Sequence, residues 1–285
     1  FAMMAAGASL GGLVGPLIGV LFVTRIGNAG LLVVSAAMLV VTALCADYLQ
    51  ARKNTADGPG SDQDEIPVET RLGGTPFEGA VHVFRSPLLL GIAGFVVLLA
   101  SVSTFLYFEQ ARFVAERFSD RAEQTQFFSG VDAVVQFLTL LIQTFLTGRI
   151  AMIFGLKVLL LTVPIMMTVG FLALSFSSML GMYVVVMVIR RVGEYALVRP
   201  GREMLYTSVS AADKYKAKNF IDTVIYRGAD AFSSWLKAGF DFLLSPNMGA
   251  IAGATIACAW FLSGVYTLRQ HRKAEKTLKP SLTPG

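Results

Sequence analysis

An all-α membrane protein with about eight transmembrane helices is the fold class this sequence predicts, and three observations predict it. Hydrophobic residues make up 54% of the 285 and charged residues only 15%, against about 25% charged in an ordinary soluble domain. Mean hydropathy is +0.62. The apolar residues are also gathered into runs of about 20, the length that crosses a hydrocarbon core of ~30 Å at 1.5 Å per residue. A segment in lipid must close its backbone hydrogen bonds internally, which selects helix.

In chain order the first runs are 1–24 and 29–49. The chain starts inside an apolar run at Phe1, with no initiator Met and no basic n-region, so a truncation point is expected there and not a signal peptide. Residues 50–86 break the series. Their Gly, Pro and acidic content reads as a flexible hydrophilic linker, and Thr75-Pro76-Phe77-Glu78 has the form of a capping box with Pro at the first helical position, which predicts a short interfacial helix over 76–84. Six more runs follow, at 87–108, 126–147, 155–175, 179–199, 219–244 and 249–268. Between the first two of these, the mixed charges of 109–125 read as a helix extending past the membrane. Residues 269–285 form a basic tail.

Lys and Arg collect in the linker, at Arg149 and Lys157, at Lys214, Lys216 and Lys218, and in the tail, while the connections 175–179 and 245–249 carry no charge. By the positive-inside rule the basic connections are cytoplasmic. The same placement explains the net charge of +5 and pI of 9.3 without a nucleic-acid partner. Cys45 and Cys258 lie in apolar runs, and His82 and His271 are the only histidines. Neither a disulfide framework nor a metal site is expected, and no cofactor.

Two motifs have positional meaning. Residues 11–19, GGLVGPLIG, place Gly11, Gly15, Pro16 and Gly19 in the pattern G-x-x-x-G-P-x-x-G. Residues 148–157, GRIAMIFGLK, carry Gly148, Gly155 and Lys157 in a loop pattern G-x-L-A-D-x-x-G-R-K, with Met152 where the pattern has an acid and Leu156 where it has Arg. Small residues and Pro are common in any membrane helix because they permit close packing. In position, however, the first resembles the fifth-helix motif of antiporters of the major facilitator superfamily, and the second resembles that superfamily's loop motif after the eighth helix. The resemblance implies a partial facilitator-type bundle: 1–49 as the last two helices of an N-terminal bundle, 50–86 as the cytoplasmic linker, and 87–268 as a C-terminal six-helix bundle. A narrower resemblance covers most of 87–245. Segments such as STFLYFEQARFVAERFSDRAEQTQFF, RPGRE and KYKAKNFIDTVIYRGAD look like bacterial relatives of the nucleotide transporter family, whose members include ATP/ADP exchangers. It implies a multi-pass protein of the bacterial inner membrane.

Charges within the runs are the candidate site. Arg190 and Arg191 fall near mid-membrane, with Glu194 on the same helix face; Arg199 and Arg202 continue beyond, where Pro200 allows a kink. At about 100° per residue, Asp222, Arg227, Asp230, Lys237 and Asp241 share one side of the next helix, opposite Ile225, Ala229, Phe232, Leu236 and Leu243. Asp132, Gln136 and Gln143 form a further polar stripe, and Glu109 and Arg112 are additional contributors. Charges at this depth are costly and normally face a protein interior or a water-filled cavity. They could be internal pairs that fix packing, such as Arg190 or Arg191 with Glu194 and Arg227 with Asp230. Alternatively Arg190, Arg191, Arg199, Arg202, Arg227 and Lys237 bind an anion, for which the guanidinium fork is suited, with Asp132, Glu194, Asp222 and Asp230 as charge partners or coupling groups.

The expectation is a secondary transporter in the lipid bilayer moving a small organic anion by alternating access, with nucleotides or other phosphorylated metabolites first among the candidates. A proton-coupled exporter of amphipathic compounds and a non-transporting scaffold are the alternatives. The shortage of His and Cys and the lack of a G-x-x-x-x-G-K-[ST] loop argue against an enzyme or an ATP-driven pump.

Overall fold

A computed structural model describes residues 2–56, 78–176, 179–209, 211–243 and 246–278. Ten α-helices follow one another, and no strand occurs among the described residues. They are α1 (Ala2–Ala56), α2 (Glu78–Arg85), α3 (Pro87–Arg117), α4 (Arg121–Ile142), α5 (Gly148–Phe176), α6 (Leu180–Gly193), α7 (Arg199–Leu205), α8 (Ala211–Phe220), α9 (Tyr226–Leu243) and α10 (Pro246–Leu278). Single π-turns join α4 to α5 at Gln143–Thr147, α6 to α7 at Glu194–Val198, and α8 to α9 at Ile221–Ile225.

Four stretches are long and apolar enough to cross a membrane: Leu10–Arg52, Pro87–Arg117, Arg121–Phe176 and Gly249–Lys276. The first and third contain 43 and 56 residues, far longer than the ~20 a bilayer needs. Each is broken at one glycine, Gly27 (φ 66°, ψ 178°) and Gly155 (φ 69°, ψ −173°). These breaks fall where the hydropathy pattern separates 1–24 from 29–49 and 126–147 from 155–175. Positive φ brings a Cβ against the following carbonyl, which only glycine avoids. Gly155→Ala is therefore expected to lower stability by about 1–2 kcal/mol, read as a fall in the thermal midpoint in detergent. The space around a Cβ at Gly155 is open, so the cost would come from the backbone.

Helix starts follow local chemistry. Ser86 caps α3 by accepting a hydrogen bond from the Leu89 amide at 3.4 Å, and Pro87 occupies a first-turn position whose missing N–H costs nothing. Asp120 caps α4 through the Ala122 amide at 3.1 Å. The expected single helix over 109–125 is thus two helices, because Phe118 and Asp120 leave the helical region and the Asp120 cap restarts it. The interfacial helix expected over 76–84 is found at Glu78–Arg85; Thr75, Pro76 and Phe77 lie outside the described residues, as do 279–285 of the basic tail. Gly79 lets α2 rest on α8, since a Cβ there would sit 2.7 Å from the Lys216 carbonyl oxygen.

α3 is the centre of the assembly and packs against α6, α9 and α10. Its Phe95 meets Trp260 with ring centroids 5.4 Å apart, and its Phe105 meets Phe240 at 6.0 Å. Lipid is as apolar as these side chains, so close van der Waals fit, not exclusion from water, holds the helices together. Small residues provide the fit: a Cβ at Gly253 would fall 2.5 Å from the Phe171 ring, and one at Gly264 2.8 Å from Leu161. α1 packs on α4 and otherwise presents exposed apolar side chains such as Leu32, Leu39 and Leu44.

Candidate functional site

Pro200 shapes the charged region before any charge is considered. Lacking an N–H, it cannot bond to the carbonyl of Ala196, four residues earlier. The preceding turn widens to π form, in which the Arg199 amide bonds to the Glu194 carbonyl, so the Tyr195 carbonyl also loses its helical donor. Both orphaned carbonyls are taken by the adjoining π-turn: Gln143 Nε2 donates to Tyr195 at 3.0 Å and Thr147 Oγ1 to Ala196 at 2.8 Å. The two bulges therefore complete one another, as π-turns with stranded carbonyls require. Glu194 is buried at the start of the second turn, and Arg199 just after it is exposed.

Two cavities adjoin there, of about 600 and 570 Å³. The first is lined by Ser103, Thr104, Tyr107 and Gln110 of α3, Asp132 of α4, Arg190 and Arg191 of α6, and Asp230 and Ser234 of α9. The second is lined by Glu194, Arg199, Arg202, Glu203, Lys218, Asp222 and Arg227. Tyr226 and Asp230 belong to both walls.

Most charges are paired. Arg190 reaches Glu194 at 2.8 Å and Ser103 at 2.5 Å, the i,i+4 pairing the spacing predicts. Arg191 pairs instead with Asp132 across to α4. Arg199 lies 3.8 Å from Glu194 and stacks over the Tyr195 ring at 4.4 Å. Arg202 meets Asp222 at 2.9 Å, and Lys218, expected in a loop or at the interface, meets Glu203 at 2.6 Å from helix α8. Among the described residues Arg227 forms no ion pair, including the one expected with Asp230. Asp230 accepts a hydrogen bond from Thr104 at 3.2 Å.

Of the charged side expected for 222–241, Asp222, Arg227 and Asp230 line the second cavity together. On the opposite side Phe232 and Leu236 are exposed and Ala229 is buried. Lys237 lies outside both cavities, 2% exposed, 2.7 Å from Glu109. Glu109 also holds Arg112 at 2.7 Å, so these three make a separate cluster. The Asp241 side chain falls outside the described residues. The stripe on α4 and its π-turn also divides: Asp132 faces the cavity, Gln136 packs at Gly12 of α1, and Gln143 completes the π-turn.

Of the motif residues, Gly19 makes a close approach, since a Cβ would collide with Ser129 Oγ of α4, whereas Gly11 and Gly15 border open space; Pro16 lies within α1. Gly155 is the helix break and Gly148 is open, while Lys157 lines a smaller cavity with His271 and Arg272. The cavity residues that sequence reasoning missed are uncharged: Ser103, Thr104, Gln110, Tyr226 and Ser234. Hydroxyls and amides are ordinary in helices, and only the packing of α3 on α9 reveals these as a wall. Among the described residues no cluster of His, Cys, Asp and Glu has metal-binding form. No protein-family model matches the chain, and no curated protein sequence matches it.

Proposed function

We propose that this chain is part of a multi-pass secondary transporter of the bacterial inner membrane that moves a small organic anion, with eight spans in a facilitator-type arrangement. The carrying observation is the pair of adjoining charged cavities inside an otherwise apolar helical assembly. Their volumes suit a small metabolite. Cations on the two walls outnumber acids by one: Arg190, Arg191, Arg199, Arg202, Lys218 and Arg227 against Asp132, Glu194, Glu203, Asp222 and Asp230. An uncompensated charge is expensive at membrane depth, so in the empty state the carboxylates hold the arginines. A solute carboxylate or phosphate would take their place, with Arg227, the unpaired cation, as its first contact. The breaks at Gly27 and Gly155, which divide the two longest stretches into segments nearer spanning length, support the eight-span count.

The test is counterflow with the full-length protein in proteoliposomes, loaded with unlabelled ADP, hexose phosphate or inorganic phosphate and given the labelled solute outside. Saturable exchange of at least one, reduced tenfold or more in Arg227→Ala, is expected. Arg227 is exposed and makes no ion pair among the described residues, so its truncation leaves the fold intact. Absence of exchange in folded, inserted protein would overturn the anion reading and favour export of amphipathic compounds or a scaffold.

A further inference from the structure

Every acid lining the two cavities except Asp230 is ion-paired: Asp132 with Arg191, Glu194 with Arg190, Asp222 with Arg202, and Glu203 with Lys218. Asp230 is also the one acid that belongs to both walls. It is half-buried, and its contact is a neutral hydroxyl, Thr104 Oγ1, on Oδ1. We propose that Asp230 is the proton-binding site of this protein and that proton uptake there is coupled to anion binding.

The argument is electrostatic. From α6 and its π-turn, the charges whose fields reach Asp230 are Arg190 and Glu194; from its own helix, Arg227. Arg191 and Asp132, a neutralised pair, lie across the first cavity, Arg199 and Arg202 line the second, and the phenols of Tyr107 and Tyr226 complete the surroundings. Arg190 is held by Glu194, which leaves Arg227 as the unpaired cation, beyond ion-pair distance. Asp230 is therefore the carboxylate in this wall that can take a proton without stranding an arginine. The step is a bare proton transfer: water on one side gives a proton to the carboxylate, which becomes a neutral acid and returns the proton on the other side. Protonation removes a negative charge from both walls that would otherwise repel the anionic solute. Proton and anion thus strengthen one another's binding, and by linkage the effect is reciprocal. The sign follows: anion binding is favoured as pH falls, and a proton gradient drives accumulation.

This inference rests on the transport reading, but its first test does not require a known solute. Dicyclohexylcarbodiimide reacts with a protonated carboxyl, whose proton passes to a carbodiimide nitrogen as the oxygen bonds to carbon. The full-length protein would be treated between about pH 5.5 and 8.5 and each carboxyl quantified by mass spectrometry. Modification of Asp230 that declines as pH rises, with Asp132, Glu194 and Asp222 unmodified, is the expected result. An unmodified Asp230, or labelling independent of pH, would overturn the proposal. The second test is flux of labelled ADP and inorganic phosphate in proteoliposomes. Asp230→Asn should hold exchange at its acid-side rate at every pH and lose gradient-driven accumulation tenfold or more, while Asp230→Glu keeps the pH dependence. Wild-type flux insensitive to the gradient, or Asp230→Asn with wild-type pH dependence, refutes coupling while leaving anion transport in place. No wild-type flux beside pH-dependent labelling refutes the anion reading and upholds the proton site.

Discussion

Arg190→Met is expected to destabilise the purified protein by about 3 kcal/mol, seen as a large fall in its thermal midpoint at fixed detergent and pH. Arg190 is 8% exposed and Glu194 6%. Removing the guanidinium leaves a carboxylate that has lost its 2.8 Å partner in an environment poor in water. Arg199 is the remaining cation, but it stands at 3.8 Å with a side chain 57% exposed, so its attraction is screened and weak. Ser103 also loses the guanidinium bonded to its hydroxyl. The penalty belongs to the stranded charge more than to the lost pair, because a buried ion pair and its apolar replacement differ far less than either differs from a half-pair. The double variant Arg190→Met, Glu194→Gln should then recover more than half of the loss. A double variant as unstable as the sum of its single changes would show that the two side chains act independently and that the pair does not organise α6.

How much of this was legible in the sequence depended on the length scale of the signal. Long apolar helices and their breaks were readable because they rest on local sums: a run of apolar residues long enough for a bilayer, then a glycine able to take positive φ, as at Gly27 and Gly155. The Arg190–Glu194 pair was readable for the same reason, since four residues bring two side chains together on one helix. Partners across helices were not. Arg191 has the same spacing options as Arg190 yet crosses to Asp132, because one step around the helix turns it toward α4. The charged side expected for 222–241 divides along the helix axis, with Asp222, Arg227 and Asp230 at the second cavity and Lys237 further on at Glu109. The π-turn at Ile221–Ile225 offsets Asp222 from the later charges, and no residue in IDTVI announces it. By contrast, the π-turn at Glu194–Val198 has a visible cause in Pro200, which was read as permission to kink. Its consequence, two carbonyls needing donors from another helix, could be seen only once Gln143 and Thr147 were in place. Lys237 shows the same limit, because its partner lies 128 positions earlier in the sequence, at Glu109.

The Glu109 cluster yields the second large effect, and it is asymmetric. Lys237 Nζ lies 2.7 Å from Glu109 Oε1 and Arg112 lies 2.7 Å from Oε2, but neither carboxylate oxygen has an aligned hydrogen bond, so the cluster is held chiefly by charge. α10 covers it with Gly249, where even a Cβ would come within 3.4 Å of Glu109 Oε1. Lys237→Met removes one cation and leaves Glu109 with Arg112, so the expected cost is about 1–2 kcal/mol. Glu109→Gln removes the negative charge and leaves an ammonium 2% exposed in the interior, for which the expected cost is about 3–5 kcal/mol. The side chain of Arg112 is 37% exposed and can turn to water, whereas the Lys237 side chain is 2% exposed. Thermal midpoints of the two variants, measured side by side in one detergent, check the order. Equal midpoints would mean that Lys237 reaches water or another partner in the variant. If instead Lys237→Met proved the worse of the two, Arg112 would not be holding Glu109, and the cluster would be a simple pair with an exposed arginine beside it.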